Sequence, residues 1–356
     1  MQKTIIMQSV MIDILPISFL LSIILIFINQ FEKESGKGRI RLQPQTFHTQ
    51  PTSRLGGISI FSSLFIVTFL IDANLDEYDL MRASLLCAIP AFLVGLLDDL
   101  RIEISPLYRL LLLLITPLAL FFFANLEVRD VEVSLINNIL KSDIAALIFI
   151  VISIGAMING FNMIDGFNGL ALSYSFGVIC SMVATNLLFA DINLMTYAIA
   201  LFFSLLGVFI LNFPFGKIFI GDSGAYILGA LIPVGLIQFY SLNNLSPWYV
   251  LTLLMYPTTE VLFSFIRKIY QKKSPLNPDE EHLHMLIFKR ISGIKPFTNE
   301  ALKHSLVSII MVGINLPNFI LASTNPKDSS ILILASINFL IIYLVIYGIL
   351  APKRKI

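Results

Sequence analysis

An all-α, polytopic integral membrane protein is the fold class this sequence predicts, and three observations predict it. Apolar residues make up 56% of the chain and charged residues 13%, half the ~25% charged share of a soluble domain. Mean hydropathy is +0.85. About eleven apolar runs approach the ~20 residues that cross a ~30 Å hydrocarbon core, and Lys and Arg sort between alternate loops. A formal net charge of +1 gives no field that would attract nucleic acid.

The runs lie near 10–30, 55–72, 80–97, 107–126, 143–159, 169–189, 192–212, 223–242, 247–266, 304–322 and 331–351. Those at 55–72 and 80–97 are short. None alternates with the two-residue period of a membrane barrel, so the spans are read as helices. The first run follows a single Lys and precedes no small-x-small cleavage site, so it is expected to be a retained span rather than a signal peptide. Cys87 and Cys180 lie inside apolar runs and read as small core residues, not a disulfide.

Eleven spans place the termini on opposite sides. The loops 31–54, 98–109, 160–168, 213–222, 267–303 and 352–356 hold 19 of the 24 basic residues, against five in the alternate set. The positive-inside rule makes the first set cytoplasmic. The N-terminus is then outside and the C-terminus cytoplasmic. No linker or composition shift divides the chain. It reads as one membrane-embedded domain over 1–356, with main cytoplasmic loops at 31–54 and 267–303. No repeat at a fixed period is visible, which disfavours a transporter built from inverted halves.

The chemically capable residues fall on the cytoplasmic side of this topology. Asp98-Asp99 ends the third span. Adjacent carboxylates repel unless a cation relieves them, and a hard cation such as Mg²⁺ prefers such oxygen ligands; a solvated helix end would look the same. Asn159, Asn162, Asp165 and Asn168 recur every three residues, so the first three share a helix face about 120° wide. Such a polar ladder faces protein or water rather than lipid, and serves a site or glues helices together. Gly221-Asp222-Ser223-Gly224 opens the eighth span, where a helix N-terminus offers N–H groups to an anion and Asp222 is a plausible N-cap. Lys217 lies just before it. His282 and His284 share a side only of an extended segment. They do not have the i, i+4 spacing of a zinc-protease helix. Asp279, Glu280 and Glu281 precede them, a setting suited to proton transfer near neutral pH or to pyrophosphate binding. Lys33, Lys37, Arg39, Arg41, His48 and Arg54 line the first cytoplasmic loop and suit anionic substrates or anionic lipid.

Together these blocks resemble one family: the polyprenyl-phosphate N-acetylhexosamine-1-phosphate transferases, which include the MraY and WecA branches. Five blocks match in order: His48 to Gly57 (HTQPTSRLGG), Gly95 to Asp99 (GLLDD), Asn159 to Ala171 (NGFNMIDGFNGLA), Asn212 to Gly224 (NFPFGKIFIGDSG) and His282 to Leu286 (HLHML). The resemblance implies transfer of a sugar-1-phosphate from a UDP-sugar to undecaprenyl phosphate, with Mg²⁺ (or Mn²⁺) and release of UMP. It implies that Asp222, with Asp98 and Asp99, meets the metal. Asp98 would attack or deprotonate the lipid phosphate, supported by Asp99, with His282 and His284 on pyrophosphate or lipid phosphate. Asn159, Asn162 and Asp165 would shape the nucleotide side, and Asn168 and Asn212 would lie near uridine. His48, Arg54 and Lys217 would assist substrate binding.

Three departures from the family pattern matter. Asn168 stands where the family carries a second Asp. Met285 stands where it carries a third His. The 51–57 block is closer to the WecA and O-antigen-initiating branch, which favours an N-acetylhexosamine donor over the muramyl-pentapeptide donor of MraY. Implied partners are the two substrates and the bilayer of the bacterial inner membrane, and a homodimer is compatible. An ion-coupled transporter and an inactive scaffold relative are the readings from other classes.

Overall fold

The computed structural model describes residues 2–34, 52–71, 75–272, 274, 281–293 and 299–351, with backbone only for 2–12 and 31–34. His48, most of the 31–54 loop, Asp279, Glu280 and the Lys353-Arg354-Lys355 tail lie outside them.

All eleven apolar runs are helical. The helices are α1 (Gln2–Glu34), α2 (Gly56–Phe65), α3 (Asp79–Asp99), α4 (Pro106–Leu113), α5 (Ile115–Phe123), α6 (Ser134–Leu140), α7 (Asp143–Ile164), α8 (Leu170–Phe189), α9 (Ile192–Asn212), α10 (Gly221–Asn243), α11 (Pro247–Leu253), α12 (Met255–Tyr270), α13 (Leu283–Ser292), α14 (Glu300–Thr324) and α15 (Ser329–Leu350). Among the described residues nine stretches are long and apolar enough to cross a membrane. The run expected at 247–266 is a broken pair, α11 and α12, bent by 74°. The run expected at 55–72 is a short helix, Gly56–Ile71, whose end is a π-helical turn. Length and composition therefore give nine spans, or ten with the bent pair. Among the described residues the extended structure is a single parallel bridge, Ser53 to Ile218.

Local chemistry sets the helix boundaries. Asp191, Asn299 and Asp328 cap α9, α14 and α15, each accepting from the N–H groups two and three residues on. Ser105-Pro106 and Ser246-Pro247 open α4 and α11 with a hydroxyl cap and a proline in the first turn. Small residues bring helices close. Ser18 of α1 donates to the Ser204 carbonyl of α9 at 2.6 Å, and Gly207 of α9 leaves no room for a Cβ beside it.

The core centres on α10, which is 78% buried and touches α2, α3, α7, α8, α9 and α11. Gly95 of α3 lies against the Ser223 backbone, where a Cβ would come within 2.5 Å of the Ser223 Cα. That contact sets the C-terminal end of α3 against the N-terminal end of α10. Cys87 is buried as expected, but Cys180 faces outward from α8, so only one of the two is a core residue.

Candidate active site

The site is built where α3 ends and α10 begins. The residue before α10 is Ile220, which has no side chain to cap it. Asp99 of α3 supplies the cap from across the interface. Its carboxylate accepts from Asp222 N (2.8 Å), Ser223 N (2.9 Å) and Ser223 Oγ (2.6 Å), with no exposed side-chain surface. Asp222 is therefore not the N-cap that its position suggested; it sits inside the first turn with its carboxylate one-fifth exposed. The N–H groups expected to meet a substrate anion are already taken by Asp99. Gly221 adopts φ +68°, and a Cβ there would overlap the Arg54 carbonyl and crowd Asp99.

A second strand of chain laces onto this junction. Phe219 N donates to Ser53 O at 2.8 Å, Gly56 N to Phe219 O at 2.9 Å and Gly57 N to Ile220 O at 2.8 Å. These bonds aim Arg54 at α10. Its Nη2 donates to Asp222 Oδ1 at 2.7 Å, and its Nε lies 3.7 Å from Asp99 Oδ1. Asp165 and Asp98 also act on this guanidinium, so four carboxylates from three parts of the chain surround one arginine. Burial pushes Asp165, just past α7, up to about 8; Arg54 opposes this, and the Asp222 and Asp99 charges add to it. Arg109 of α4, which the sequence reading passed over, brings its Nε to 3.3 Å from Asp98 Oδ2.

Among the described residues no three His, Cys, Asp or Glu side chains are close enough together to hold a metal alone. Mg²⁺ does not require that: it binds through one or two carboxylates and completes its shell with water and substrate phosphates. Asp98 Oδ2 is buried without a hydrogen-bond partner among the described residues, and Asp222 is accessible. That donor set fits a hard divalent ion. Asp99 contributes less to such a set, because its oxygens already accept three hydrogen bonds.

The two histidines reach the same region from α13. His282 is extended (φ −73°, ψ 150°) and the helix starts at the next residue, so the i, i+2 pair stacks with ring planes 3° apart and centroids 5.5 Å apart. His282 Nδ1 lies 2.9 Å from Glu260 Oε2, and His284 Nδ1 lies 2.9 Å from Tyr256 Oη. Burial holds the His284 pKa below its ordinary value against the pull of Glu260. Its Nε2 faces Gly166, where a Cβ would lie 3.1 Å away. Met285 is buried among core residues.

Two of the amides singled out by the sequence reach loop carbonyls through their NH₂ groups. Asn212 is buried and donates Nδ2 to Ile218 O at 2.6 Å. Asn168 is buried and donates Nδ2 to Pro214 O at 2.9 Å, while its backbone carbonyl accepts from Ser308 Oγ at 2.7 Å. Both brace the 213–220 loop against α8, α9 and α14. Asn159 donates back to Gly155 O at 2.8 Å, and Asn162 is part-buried. Lys217 is exposed on the braced loop. Sequence reading also missed Glu260 and Tyr256; the available signal was one glutamate inside an otherwise apolar span.

Known proteins resemble this chain over much of its length. The family described as Glycosyl transferase family 4 matches residues 81–240. The undecaprenyl-phosphate alpha-N-acetylglucosaminyl 1-phosphate transferase of Thermotoga maritima is 31% identical over 70% of this chain and 72% of its own length. The protein of the same name from Yersinia pestis is 25% identical over 66% of this chain and 65% of its own. The phospho-N-acetylmuramoyl-pentapeptide-transferase of Clostridium botulinum is 28% identical over 58% of this chain and 66% of its own.

Proposed function

The chain belongs to glycosyl transferase family 4, and on that footing we propose that it transfers an N-acetylhexosamine-1-phosphate from a UDP-sugar to undecaprenyl phosphate, releasing UMP. The reaction runs at the cytoplasmic face of the bacterial inner membrane and begins a cell-surface glycan. The observation that carries this reading is the gathering of Asp98, Asp165 and Asp222 around Arg54, with His284 reaching the Asp165–Gly166 turn.

Phosphoryl transfer between two anions is chiefly positioning and charge neutralisation. An oxygen of the lipid phosphate forms a bond to the β-phosphorus of the UDP-sugar. The bond from that phosphorus to the bridging oxygen breaks, and its electron pair leaves with UMP. Asp98, beside Arg109, takes the proton of a monoprotonated lipid phosphate or holds the dianion in line. Asp98 and Asp222 are the residues that would hold Mg²⁺, which when bound offsets charge on the pyrophosphate. Asp99 keeps Asp222 in place. Arg54 counters remaining phosphate charge, His282 and His284 hydrogen-bond the phosphates, and Asn159, Asn162, Asn168, Asn212 and Lys217 shape the donor side.

The muramyl-pentapeptide donor is the second reading, supported by a relative that matches a smaller part of the chain. Purified protein with undecaprenyl phosphate, Mg²⁺ and a panel of UDP-sugars separates the two. UMP release with UDP-N-acetylhexosamines but not with UDP-MurNAc-pentapeptide is expected. Release with the pentapeptide donor alone contradicts the proposal.

A further inference from the structure

Glu260 lies inside the bent pair α11–α12, buried, where an ionised acid is costly unless partnered. Much of its partnership comes from the segment that carries the two histidines. Oε2 is 2.9 Å from His282 Nδ1, and Oε1 accepts from Leu283 N at 3.2 Å. His284 Nδ1 lies 3.7 Å from Oε1 and 2.9 Å from Tyr256 Oη. Both imidazoles are thus approached at Nδ1 by groups of α12, and their planes are nearly parallel. A ring held through Nδ1 presents Nε2 on its far side, and the partner at one nitrogen selects which nitrogen carries the proton. His284 Nε2 is buried, has no hydrogen-bond partner among the described residues, and faces Gly166 beside Asp165. Arg267, two turns further along α12, fastens the same segment by donating to the Glu281 carbonyl and to Tyr347 Oη.

We propose that Glu260 is a positioning residue of the transferase: its carboxylate sets the tautomer and ring plane of His282, fixes the start of α13, and so delivers the Nε2 of His284 to the Asp165–Gly166 turn. The inference rests on the functional reading above. In that reading His284 meets a phosphate oxygen through Nε2–H, with Tyr256 Oη donating to its Nδ1, whereas His282 in its Nδ1–H form offers the Nε2 lone pair to a phosphate O–H; a misplaced or reversed ring costs rate even when the fold survives. Glutamine at position 260 keeps the size of the side chain but not its two acceptors. An amide that accepts from Leu283 N turns its NH₂ toward His282 Nδ1. That nitrogen must then act as an acceptor, and the proton moves to Nε2.

The test uses the full chain in detergent with ¹⁵N-labelled histidine, comparing wild type, Glu260→Gln and Glu260→Asp, with His282→Asn and His284→Asn to assign the signals. His282 is expected as the Nδ1–H form in wild type and as the Nε2–H form in Glu260→Gln. With thermal unfolding still cooperative, kcat is expected to fall about 10–100-fold while the UDP-sugar KM moves less than about threefold. Glu260→Asp, which keeps both acceptors, is expected to hold the wild-type tautomer and part of the rate even if Glu260→Gln fails to fold. An unchanged His282 tautomer in Glu260→Gln, or a kcat within about twofold of wild type, overturns the proposal. If wild type itself releases no UMP from any UDP-sugar, the functional reading fails instead, and the histidine spectra still decide whether Glu260 sets the rings.

Discussion

Replacing Asp99 by Asn keeps the outline of the side chain and removes the charge that starts α10. Asp99 accepts three hydrogen bonds at 2.6–2.9 Å, two of them from the backbone N–H groups of the first turn. An amide can satisfy one of those N–H groups well but turns its own NH₂ toward the other. One hydrogen bond to a charged acceptor is worth about 1.5–3 kcal/mol. Loss of negative charge at a helix N-terminus adds about 0.3–1 kcal/mol. The expected destabilisation is therefore about 2–4 kcal/mol, large for a change of one atom. Asp98→Asn is the control: its Oδ2 has no hydrogen-bond partner among the described residues and its Arg109 pair is partly exposed, so a change below about 1 kcal/mol is expected. Reversible unfolding in mixed detergent reads both variants through Trp248, the chain's one tryptophan. A second readout is the Mg²⁺ concentration for half-maximal turnover, which should rise in Asp99→Asn because Asp222 loses its seat. Stability of Asp99→Asn within about 0.5 kcal/mol of wild type, or a larger loss in Asp98→Asn, would refute the assignment of Asp99 as the cap.

Asn168→Asp sets a carboxylate against the Pro214 carbonyl where the amide now donates, and should lower stability by about 1–3 kcal/mol, checked by thermal unfolding; a variant as stable as wild type would show that the amide donor is dispensable. Asp165 titrates near 8 in the folded chain against ~3.9 unfolded. Between those values the unfolded state binds fewer protons, so this group's stabilisation is complete below pH ~4 and is lost as pH rises through ~8. Asp165→Asn should flatten that slope in metal-free protein, seen by comparing melting at pH ~5 and ~8.5; an unaltered slope contradicts it. Lys217→Cys, in a background free of Cys87 and Cys180, should react with a membrane-impermeant thiol reagent from the cytoplasmic side, and Lys141→Cys from the outside. Labelling of both from one side would invert or break the topology.

Hydropathy made the bundle legible because a span must be apolar along its whole length. All eleven runs are helical, but the same scan hid the break at Leu254 and passed over Glu260, since one acid scarcely moves the average of an apolar run. Charge sorting assigned the polar blocks to one side, and the structure brings Arg54, Asp98, Asp99, Asp165, Asp222 and His284 together near the junction of α3 and α10. Their division of labour was not readable. Asp98 and Asp99 are adjacent, yet neighbouring helix positions point about 100° apart, so one faces the site and the other faces the start of α10. Asp99 and Asp222 are 123 residues apart, and no local pattern tells that the first caps the helix of the second. The motif does not tell that Asn168 and Asn212 also donate to loop carbonyls, while each side-chain oxygen keeps no hydrogen-bond partner among the described residues.

The central claim is that these carboxylates serve transfer of a phosphosugar rather than of a sugar alone. A UDP-N-acetylhexosamine labelled at its β-phosphate, incubated with the purified chain, Mg²⁺ and undecaprenyl phosphate, tests it directly. The account expects the label in the lipid extract with an equal amount of unlabelled UMP in the water phase, and neither in Asp222→Asn. Label recovered as UDP beside a sugar-bearing lipid would mean that the other bond is cut, and the account would be wrong.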